Sequence, residues 1–399
     1  MPRALPVVPV LFFTTTTQAL ATLGILALAA VAPRAAQELG ISAALVGYQV
    51  ALSFFGGMQT ALFGGGFVRR LGAARTSQLA LWLIGAGAAL SALGSLATLA
   101  AGALVMGWGY GVTNPAASHL LSRAPTTRNM NLIFSIKQCG VPLGAMLAGF
   151  LMPPITLWAG WRAALFACAV MSVAFSLFLQ PRRSVWDDDR DEAARLFASP
   201  LASLSLIWGN KVLRWLALCS FLYSAVQLCL SGFLVTFLVE EVHLQLVLAG
   251  TLLAVTHAAG AAGRLVWGWI ADRLRSGTLA LILNGVVGVL GALATAAMAP
   301  GWPAWAIALA GAIFGFSSIG WNGVFMAVIA RQAPRDIGAA TGGSLFFTYA
   351  GVVIVPSLFA QLHERAGMSY GSGFGLLALL TAAGVGCLAM ARRHVVNRM

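Results

Sequence analysis

Charged side chains are scarce in this 399-residue chain, because only 9% of its residues are Asp, Glu, Lys or Arg. A soluble domain carries about 25%. Hydrophobic residues make up 59%, which is more apolar surface than a soluble protein can bury without exposing large apolar patches. The composition excludes an ordinary soluble protein and is typical of a helical protein that crosses a membrane many times.

Cysteine is also scarce, and the cysteines follow no spacing pattern. The five lie within apolar segments, at Cys139, Cys168, Cys219, Cys229 and Cys387. An odd and irregular set argues against both a disulfide framework and a zinc site. The sequence also lacks a G-x-x-x-x-G-K-[ST] loop and an H-E-x-x-H motif, which argues against a nucleotide-driven pump and a zinc enzyme. We therefore expect no enzyme, no metal and no cofactor.

The net charge of +13 raises the question of nucleic-acid binding. The arginines lie in short connectors between apolar segments, and no basic stripe with interleaved aromatic residues is present. Arginines in connectors set the topology of membrane proteins. We expect a monomer in a lipid bilayer, most simply the bacterial inner (plasma) membrane, with a small-molecule partner and no nucleic acid.

A helix that spans lipid needs about 20 mostly apolar residues. Twelve segments meet this length, with approximate limits 9–32, 43–66, 76–95, 99–121, 132–154, 162–180, 212–237, 245–268, 278–299, 304–328, 339–361 and 371–391. If both termini are cytoplasmic, 20 of the 24 Lys and Arg residues lie in inner segments and three in outer ones. This bias predicts an all-α integral membrane fold of twelve helices with both ends inside. The first segment is too long for a signal peptide and predicts an uncleaved helix.

The longest polar connector begins PRRSVWDDDRDEAARLF and holds five of the eleven acidic residues. It predicts an N-terminal six-helix bundle over 1–180, a cytoplasmic linker over 181–211 and a C-terminal six-helix bundle over 212–399. Repeated helical bundles are a common plan of secondary transporters, whose substrate sites lie near the bilayer midplane.

The two halves share sequence patterns. Gly107, Asn114 and Arg123 have the same spacing as Gly315, Asn322 and Arg331. Likewise FSIKQCGV at 134–141 can be laid against LFFTYAGV at 345–352. Lys137 then matches Thr348, so the charge at this position belongs to one half only.

A loop motif adds a family resemblance. The segment GRLVWGWIADR and its first-half counterpart GGGFVRRLGAAR resemble the G-x-x-x-D-R/K-x-G-x-R/K loop of the major facilitator superfamily. Arg69 stands where the first-half aspartate is expected, and Arg275 stands where the second-half glycine is expected. The resemblance covers essentially the whole chain and implies two bundles that expose a central cavity alternately to each side. It implies gating roles for Gly65, Arg69, Arg70, Gly72, Arg75, Arg264, Gly268, Asp272 and Arg273.

The chemistry of Asp272 supports the gating interpretation without the resemblance. A carboxylate at a helix end can accept hydrogen bonds from arginines or from the N-terminus of a neighbouring helix. A contact made in only one conformation biases the conformational equilibrium. The alternative is a charge cluster that only sets topology.

Lys137 lies within an apolar segment, where a lysine costs about 2.5–3.5 kcal/mol on insertion scales. The alternatives to a functional role are snorkelling to the interface and a purely structural contact. Gly140, Gly144 and Ala148 form a stripe of small residues that predicts close approach of another helix. Lys137 points nearly the same way as Gly144, and Pro142 predicts a kink at this level.

No acidic residue falls within any apolar segment. A buried cation then favours an anionic substrate, and we expect a small organic anion such as a carboxylate. The other candidate substrate-binding residues lie within the predicted spans: Gln18, Tyr110, Asn114, Gln138, Tyr223, Gln227, Trp321, Asn322 and Tyr349. Each can equally serve packing, and Asn114 and Asn322 can serve a gate.

His257 is the candidate proton carrier, because the ordinary pKa of histidine is near 6.5. It can equally hydrogen-bond a neighbouring helix, and uniport or anion exchange needs no proton. The alternative within transport is a multidrug exporter. Such exporters carry a characteristic pattern in the fifth span, and GVPLGA in this sequence resembles it only in part. A non-transporting sensor would usually carry an added soluble domain.

Overall fold

The computed structural model describes residues 5–41, 43–124, 129–197 and 200–396. These residues are almost entirely helical and contain no strand, which confirms the all-α prediction. They form eighteen α-helices, namely α1 Val7–Ala27, α2 Ala32–Leu39, α3 Ala43–Ala61, α4 Gly64–Leu71, α5 Ala73–Ser91, α6 Leu96–Ser122, α7 Met130–Gln138, α8 Gly140–Ala159, α9 Trp161–Leu179, α10 Arg183–Trp186, α11 Pro200–Gly209, α12 Lys211–Glu240, α13 Leu246–Arg273, α14 Gly277–Ala296, α15 Ala304–Ser318, α16 Asn322–Gln332, α17 Ile337–Ala366 and α18 Tyr370–Val396.

Within the described part of the chain, nine helical segments are long and apolar enough to cross a membrane. They coincide with nine of the predicted spans, and the three remaining predicted spans fall on α3, α5 and α13. The chain is thus an integral multi-pass membrane protein. The count of twelve and the cytoplasmic termini stay predictions, and residues 1–4 and 397–399 lie outside the described residues.

The chain divides into two compact units. The first comprises Met1–Thr127, Ile136–Ile207 and Ile329–Phe346, and the second comprises Arg128–Ser135, Trp208–Val328 and Phe347–Met399. The division at a linker over 181–211 stays a prediction. In the first unit this segment forms α10, a short turn region and most of α11.

Side-chain caps define where several helices begin. Ser95 Oγ accepts from Thr98 N at 3.1 Å and Ser95 N donates to Thr98 Oγ1 at 3.0 Å, a capping box at the start of α6. Asn210 Oδ1 accepts from Val212 N at the start of α12, and Ser276 Oγ accepts from Leu279 N at the start of α14. Each cap satisfies a backbone donor that the helix itself leaves unpaired.

In the first unit, α8 packs closely against α1. A Cβ atom on Gly140 would lie 2.5 Å from the backbone oxygen of Thr15, and one on Gly144 would collide with the backbone oxygen of Ala19. Ala148 on the same stripe is buried. The predicted close approach through small residues is therefore observed, because only a glycine leaves room for the facing backbone.

The predicted kink near Pro142 is a break between α7 and α8 at Cys139. Pro142 has no N–H, so it cannot donate to the carbonyl of Gln138 four residues earlier. The turn closes instead with a bond from Cys139 N to Ile136 O at 3.0 Å. The break comes two residues after Lys137, at the end of α7.

The second unit is built around an aromatic core. Phe237, Phe314, Phe359 and Phe374 are buried, and the rings of Phe237 and Phe374 lie 5.2 Å apart. A second interruption separates α15 from α16 at residues 319–321. Discontinuous membrane helices expose polar backbone and are typical of transporter interiors.

Candidate functional site

Lys137 lies inside the first unit, where its side chain is only 2% exposed. Its Nζ donates to Gln18 Oε1 at 2.8 Å, to Asn114 Oδ1, and to Gln138 Oε1 at 3.3 Å. The acceptors come from α1, α6 and α7. Four of the predicted site residues are thus brought together, and the ammonium is held within the bundle instead of extending to the interface.

The three described acceptors around Lys137 are neutral side-chain amides. Amide oxygens satisfy the N–H donors of an ammonium without cancelling its positive charge. A charge buried among neutral groups remains costly, and a bound anion lowers that cost. The electrostatics of this amide cluster (Lys137, Gln18, Asn114 and Gln138) suit an anionic ligand.

The amide of Gln18 is oriented by its neighbours. Its Oε1 faces Lys137 Nζ, which is only a donor. The hydroxyl of Thr113, which also donates to Tyr110 O at 2.7 Å, lies 3.3 Å from the same oxygen. Gln18 is fully buried, and its Nε2 has no hydrogen-bond partner among the described residues. Thr113 was not predicted, although it directly precedes Asn114 in GYGVTNP.

The ring of Tyr110 lies against Phe54 with centroids 5.8 Å apart in an edge-on arrangement. The backbone oxygen of Tyr110 accepts from the Thr113 hydroxyl, which lies next to Gln18 of the amide cluster. The Tyr110 ring thus packs against α3, and its role in substrate binding stays a prediction.

Three predicted residues meet in the second unit. Trp321 is fully buried, and its Nε1 donates to Gln227 Oε1 at 3.1 Å. The Tyr223 ring contacts Trp321 edge-on at 5.7 Å, and the Tyr223 hydroxyl donates to Leu281 O at 3.4 Å. Asn322 is the first residue of α16, and Tyr349 is buried in α17.

His257 lies in α13 with an exposed side chain. Its Nδ1 is 3.1 Å from Leu253 O, and its Nε2 is 3.2 Å from Ser231 Oγ. The Ser231 hydroxyl is also placed to donate to Gln227 O at 3.0 Å. The histidine therefore contacts α12 through one serine.

Asp272 of the second-half loop accepts hydrogen bonds from the start of α7, and its gating role stays a prediction. Asp272 Oδ2 accepts from Leu132 N at 2.9 Å, and Oδ1 accepts from Asn131 N and from Asn131 Nδ2 at 2.7 Å. These donors belong to the first turn of α7, where a carboxylate is favoured by the helix dipole. Ser135, one turn further, lies where a Cβ on Gly268 would collide. Asn131 was not predicted as a partner.

The predicted arginines of this loop are placed differently from one another. Arg264 is buried at 2% exposure, and the Arg273 guanidinium lies over the Trp269 ring at 5.3 Å. Arg275 adopts φ = 50°, a left-handed conformation. This is the position where the family motif has a glycine, and the first-half counterpart Gly72 also has a positive φ, of 90°.

The first-half loop is held by an aspartate of the predicted linker. Asp187 Oδ1 accepts from Ala74 N at 2.7 Å, and Oδ2 accepts from Arg75 N at 3.1 Å, which caps α5. Gly72, with φ = 90°, lies directly under this carboxylate. Arg69 itself is exposed, and its backbone oxygen accepts from Asp191 N at 2.8 Å.

The remaining first-half gating residues pack locally. A Cβ on Gly65 would lie 2.7 Å from Ala339 N, Arg75 Nη1 donates to Gln78 Oε1 at 3.1 Å, and Arg70 is half-buried. Burial raises the pKa of Asp187 to about 6, although the two backbone N–H groups that it accepts act in the opposite direction.

The linker carries a second ionic cluster that the sequence did not predict. His119 Nε2 and Asp189 Oδ2 lie 2.7 Å apart, and Arg123 donates to Asp189, Asp188 and the backbone oxygen of Trp186. Burial alone would raise the pKa of Asp189, but the hydrogen bond from His119 and the charges of His119 and Arg123 lower it on balance. Asp188 and Asp189 of the acidic run thus hold this segment against the C-terminal end of α6, whereas Asp187 caps α5.

The sequence matches the Major Facilitator Superfamily over residues 14–356. The chain belongs to this family. It is a transporter and not an enzyme.

Relatives in the family include proteins named as transporters of small molecules. The chain is 25% identical over 304 residues to the niacin/nicotinamide transporter NiaP of Bacillus subtilis, covering 71% of this chain and 70% of NiaP. It is 29% identical over 265 residues to the 3-(3-hydroxy-phenyl)propionate transporter of Escherichia coli, covering 62% and 61% of the two chains.

Two solved structures share the fold. The Escherichia coli fucose:proton symporter FucP has a TM-score of 0.75 at 16% identity, covering 97% of this chain and 98% of FucP. The human organic anion transporter MFSD10 has a TM-score of 0.75 at 15% identity, covering 96% of this chain and 100% of its own. Identities this low support the fold alone.

Proposed function

We propose that this protein is a secondary transporter for small organic anions, working by alternating access, and that Lys137 binds the anionic group. The observation that carries the proposal is that the buried Lys137 ammonium donates to the neutral amides of Gln18, Asn114 and Gln138. An anion is the ligand class that gains most from such a site, because it neutralises a charge already buried.

The names of the relatives favour aromatic carboxylic acids within this class. Niacin and 3-(3-hydroxyphenyl)propionate each carry one carboxylate on an aromatic skeleton, whereas nicotinamide, also in the first relative's name, is neutral. The fucose symporter has a neutral ligand, so the shared fold does not decide the sign of the substrate. The support for an anion therefore comes from Lys137.

Proton coupling is a second part of the proposal, and His257 carries it. A backbone carbonyl only accepts, so Nδ1 must donate to Leu253 O. When His257 is neutral, Nε2 accepts from the Ser231 hydroxyl; when it is protonated, Nε2 donates and the hydroxyl turns to Gln227 O. Protonation of His257 thus switches the Ser231 hydroxyl from His257 Nε2 in α13 to Gln227 O in its own helix, α12. Proton-free uniport or exchange is the alternative.

The anion proposal is tested by a thermal-shift screen of the purified protein against organic acids and cationic drugs. We expect acids to stabilise the parent, and we expect Lys137→Ala to abolish that stabilisation. Stabilisation by cationic drugs alone, undiminished in Lys137→Ala, would instead support the multidrug exporter and contradict the proposal.

The coupling proposal is tested by uptake into proteoliposomes over a range of external pH. We expect His257→Ala to flatten the pH dependence, and Ser231→Ala to alter it without abolishing transport. A pH profile that is the same in His257→Ala and the parent would remove His257 from the mechanism.

A further inference from the structure

The amide cluster holds a second donor besides Lys137. Gln18 Nε2 is fully buried and has no hydrogen-bond partner in the described part of the chain. A buried donor without a partner costs about 1–3 kcal/mol. Such a group calls for an explanation, and a bound ligand is one that fits its position in the amide cluster.

The identity of this donor is fixed by Lys137. Oxygen and nitrogen of a side-chain amide are told apart by their partners. The ammonium donates only, so the atom 2.8 Å from Nζ must be the oxygen, and the other atom must be the NH₂ group. Because both atoms are bonded to one carbon, the NH₂ group lies next to the oxygen that accepts from Lys137.

One ammonium N–H is the easiest to redirect toward a ligand. The bond from Lys137 to Gln138 Oε1 is 3.3 Å long, the longest of the three described. A bond of this length is weak, and its acceptor belongs to the next residue along the chain. An incoming oxygen can replace Gln138 Oε1 without disturbing the contacts of Lys137 to α1 and α6.

We propose that Lys137 Nζ and Gln18 Nε2 together receive the two oxygens of one carboxylate, so that Gln18 sets a preference for carboxylate over carboxamide ligands. This inference rests on the proposed function. A carboxylate offers two acceptors to two adjacent donors. The corresponding carboxamide offers one acceptor, and its own NH₂ faces the NH₂ of Gln18.

The test measures dissociation constants for two matched ligand pairs, nicotinate with nicotinamide and 3-phenylpropionate with 3-phenylpropionamide, by calorimetry on the intact purified protein. We expect the parent to favour each acid by about tenfold or more. We expect Gln18→Glu to reverse the preference, because its carboxylate repels the acid and accepts from the carboxamide NH₂.

Two further variants separate ligand contact from structure. Gln18→Met keeps the shape and removes the donor, so it should weaken acid binding about tenfold and leave amide binding nearly unchanged. As a matched control, Thr295→Val removes a buried hydroxyl of α14 that donates to Gly291 O and lies outside the amide cluster, so its acid-to-amide ratio should equal that of the parent. Gln18→Met also serves as the deciding variant if Gln18→Glu does not fold.

The outcomes distinguish this inference from the proposed function. If the parent binds acids, Lys137→Met loses them, and both Gln18 variants keep the parental acid-to-amide ratio, the anion proposal stands and the role of Gln18 is overturned. Equal loss of acid and amide in the Gln18 variants would likewise overturn it. If the parent binds neither acid, or if Lys137→Met binds both as well as the parent does, the proposed function itself fails.

Discussion

The matched segments 134–141 and 345–352 share a scaffold and differ in chemistry. In both, a glycine faces the backbone of another helix: Gly140 faces Thr15, and Gly351 faces Phe221. Three residues before each glycine the chemistry diverges, because Lys137 enters the amide cluster whereas Thr348 contributes its backbone oxygen to Ser224 Oγ at 2.7 Å. The repeated glycines allow close helix packing in both segments. The proposed anion binding depends on Lys137, which the second segment does not repeat.

The two loop segments also differ in chemistry at corresponding positions. Asp272 caps α7 in the second unit, while its first-half counterpart Arg69 provides no carboxylate. The start of α5 is capped instead by Asp187, which comes from the linker. The backbone donors at the start of α5 therefore have an acceptor from a different part of the chain.

The largest expected effect concerns the shared scaffold. We expect Gly140→Val and Gly351→Val each to lower stability by about 3 kcal/mol, because the added side chain meets a facing backbone that has no room to move. Gly149→Val is the matched control, since a Cβ there meets nothing within 4 Å. Thermal unfolding of the purified proteins in detergent measures this. If only one of the two glycine variants is damaged, the segments do not share a scaffold.

The next effect concerns the linker cap. Burial raises the folded pKa of Asp187 from 3.8 to about 6, so folding favours the protonated carboxyl. The stability that this protonated form contributes is fully present below pH 3.8 and is lost as pH rises through about 6. That loss amounts to about 3 kcal/mol. We expect Asp187→Asn, which keeps an acceptor and carries no charge, to flatten the dependence of melting temperature on pH between 4 and 7. A parent-like slope in this variant would show that Asp187 is not the titrating group.

A smaller effect distinguishes the two loops directly. We expect Asp272→Ala to lower stability by about 1–2 kcal/mol, because three described donors of Asn131 and Leu132 lose their acceptor. The matched variant Arg69→Ala should change stability by less than about 0.5 kcal/mol, because it removes an exposed side chain. Melting temperatures provide the measurement. Equal effects of the two variants would contradict the asymmetry of the loops.

The smallest expected effect is an increase in stability. Arg275 holds a left-handed conformation that glycine adopts without strain. We expect Arg275→Gly to raise stability by about 1 kcal/mol. Its counterpart Gly72→Ala should lower stability, because Gly72 has φ = 90° and a Cβ there would collide with Asp187. An Arg275→Gly protein less stable than the parent would indicate that the arginine side chain outweighs the backbone strain.

The sequence predicts the parts of this molecule that depend on local pattern. Apolar length predicted the helices, the small-residue stripe predicted the approach of α8 to α1, and Pro142 predicted the break after Lys137. The meeting of Lys137 with Gln18 and Asn114 was expected only as shared membership of a site, because the individual contacts depend on how three distant helices pack. Asp187 and Asn131 were missed for the same reason: a hydrogen bond between residues more than 100 positions apart leaves no mark in local sequence.

The most direct test of the central claim is uptake of radiolabelled nicotinate and 3-phenylpropionate by proteoliposomes that contain the parent, Lys137→Met, Lys137→Arg or Thr348→Val. The account predicts uptake by the parent, loss in Lys137→Met, partial retention in Lys137→Arg because the positive charge remains, and near-parental uptake in Thr348→Val at the matched position. Uptake of these acids by Lys137→Met at the parental rate would contradict the assignment of anion binding to Lys137.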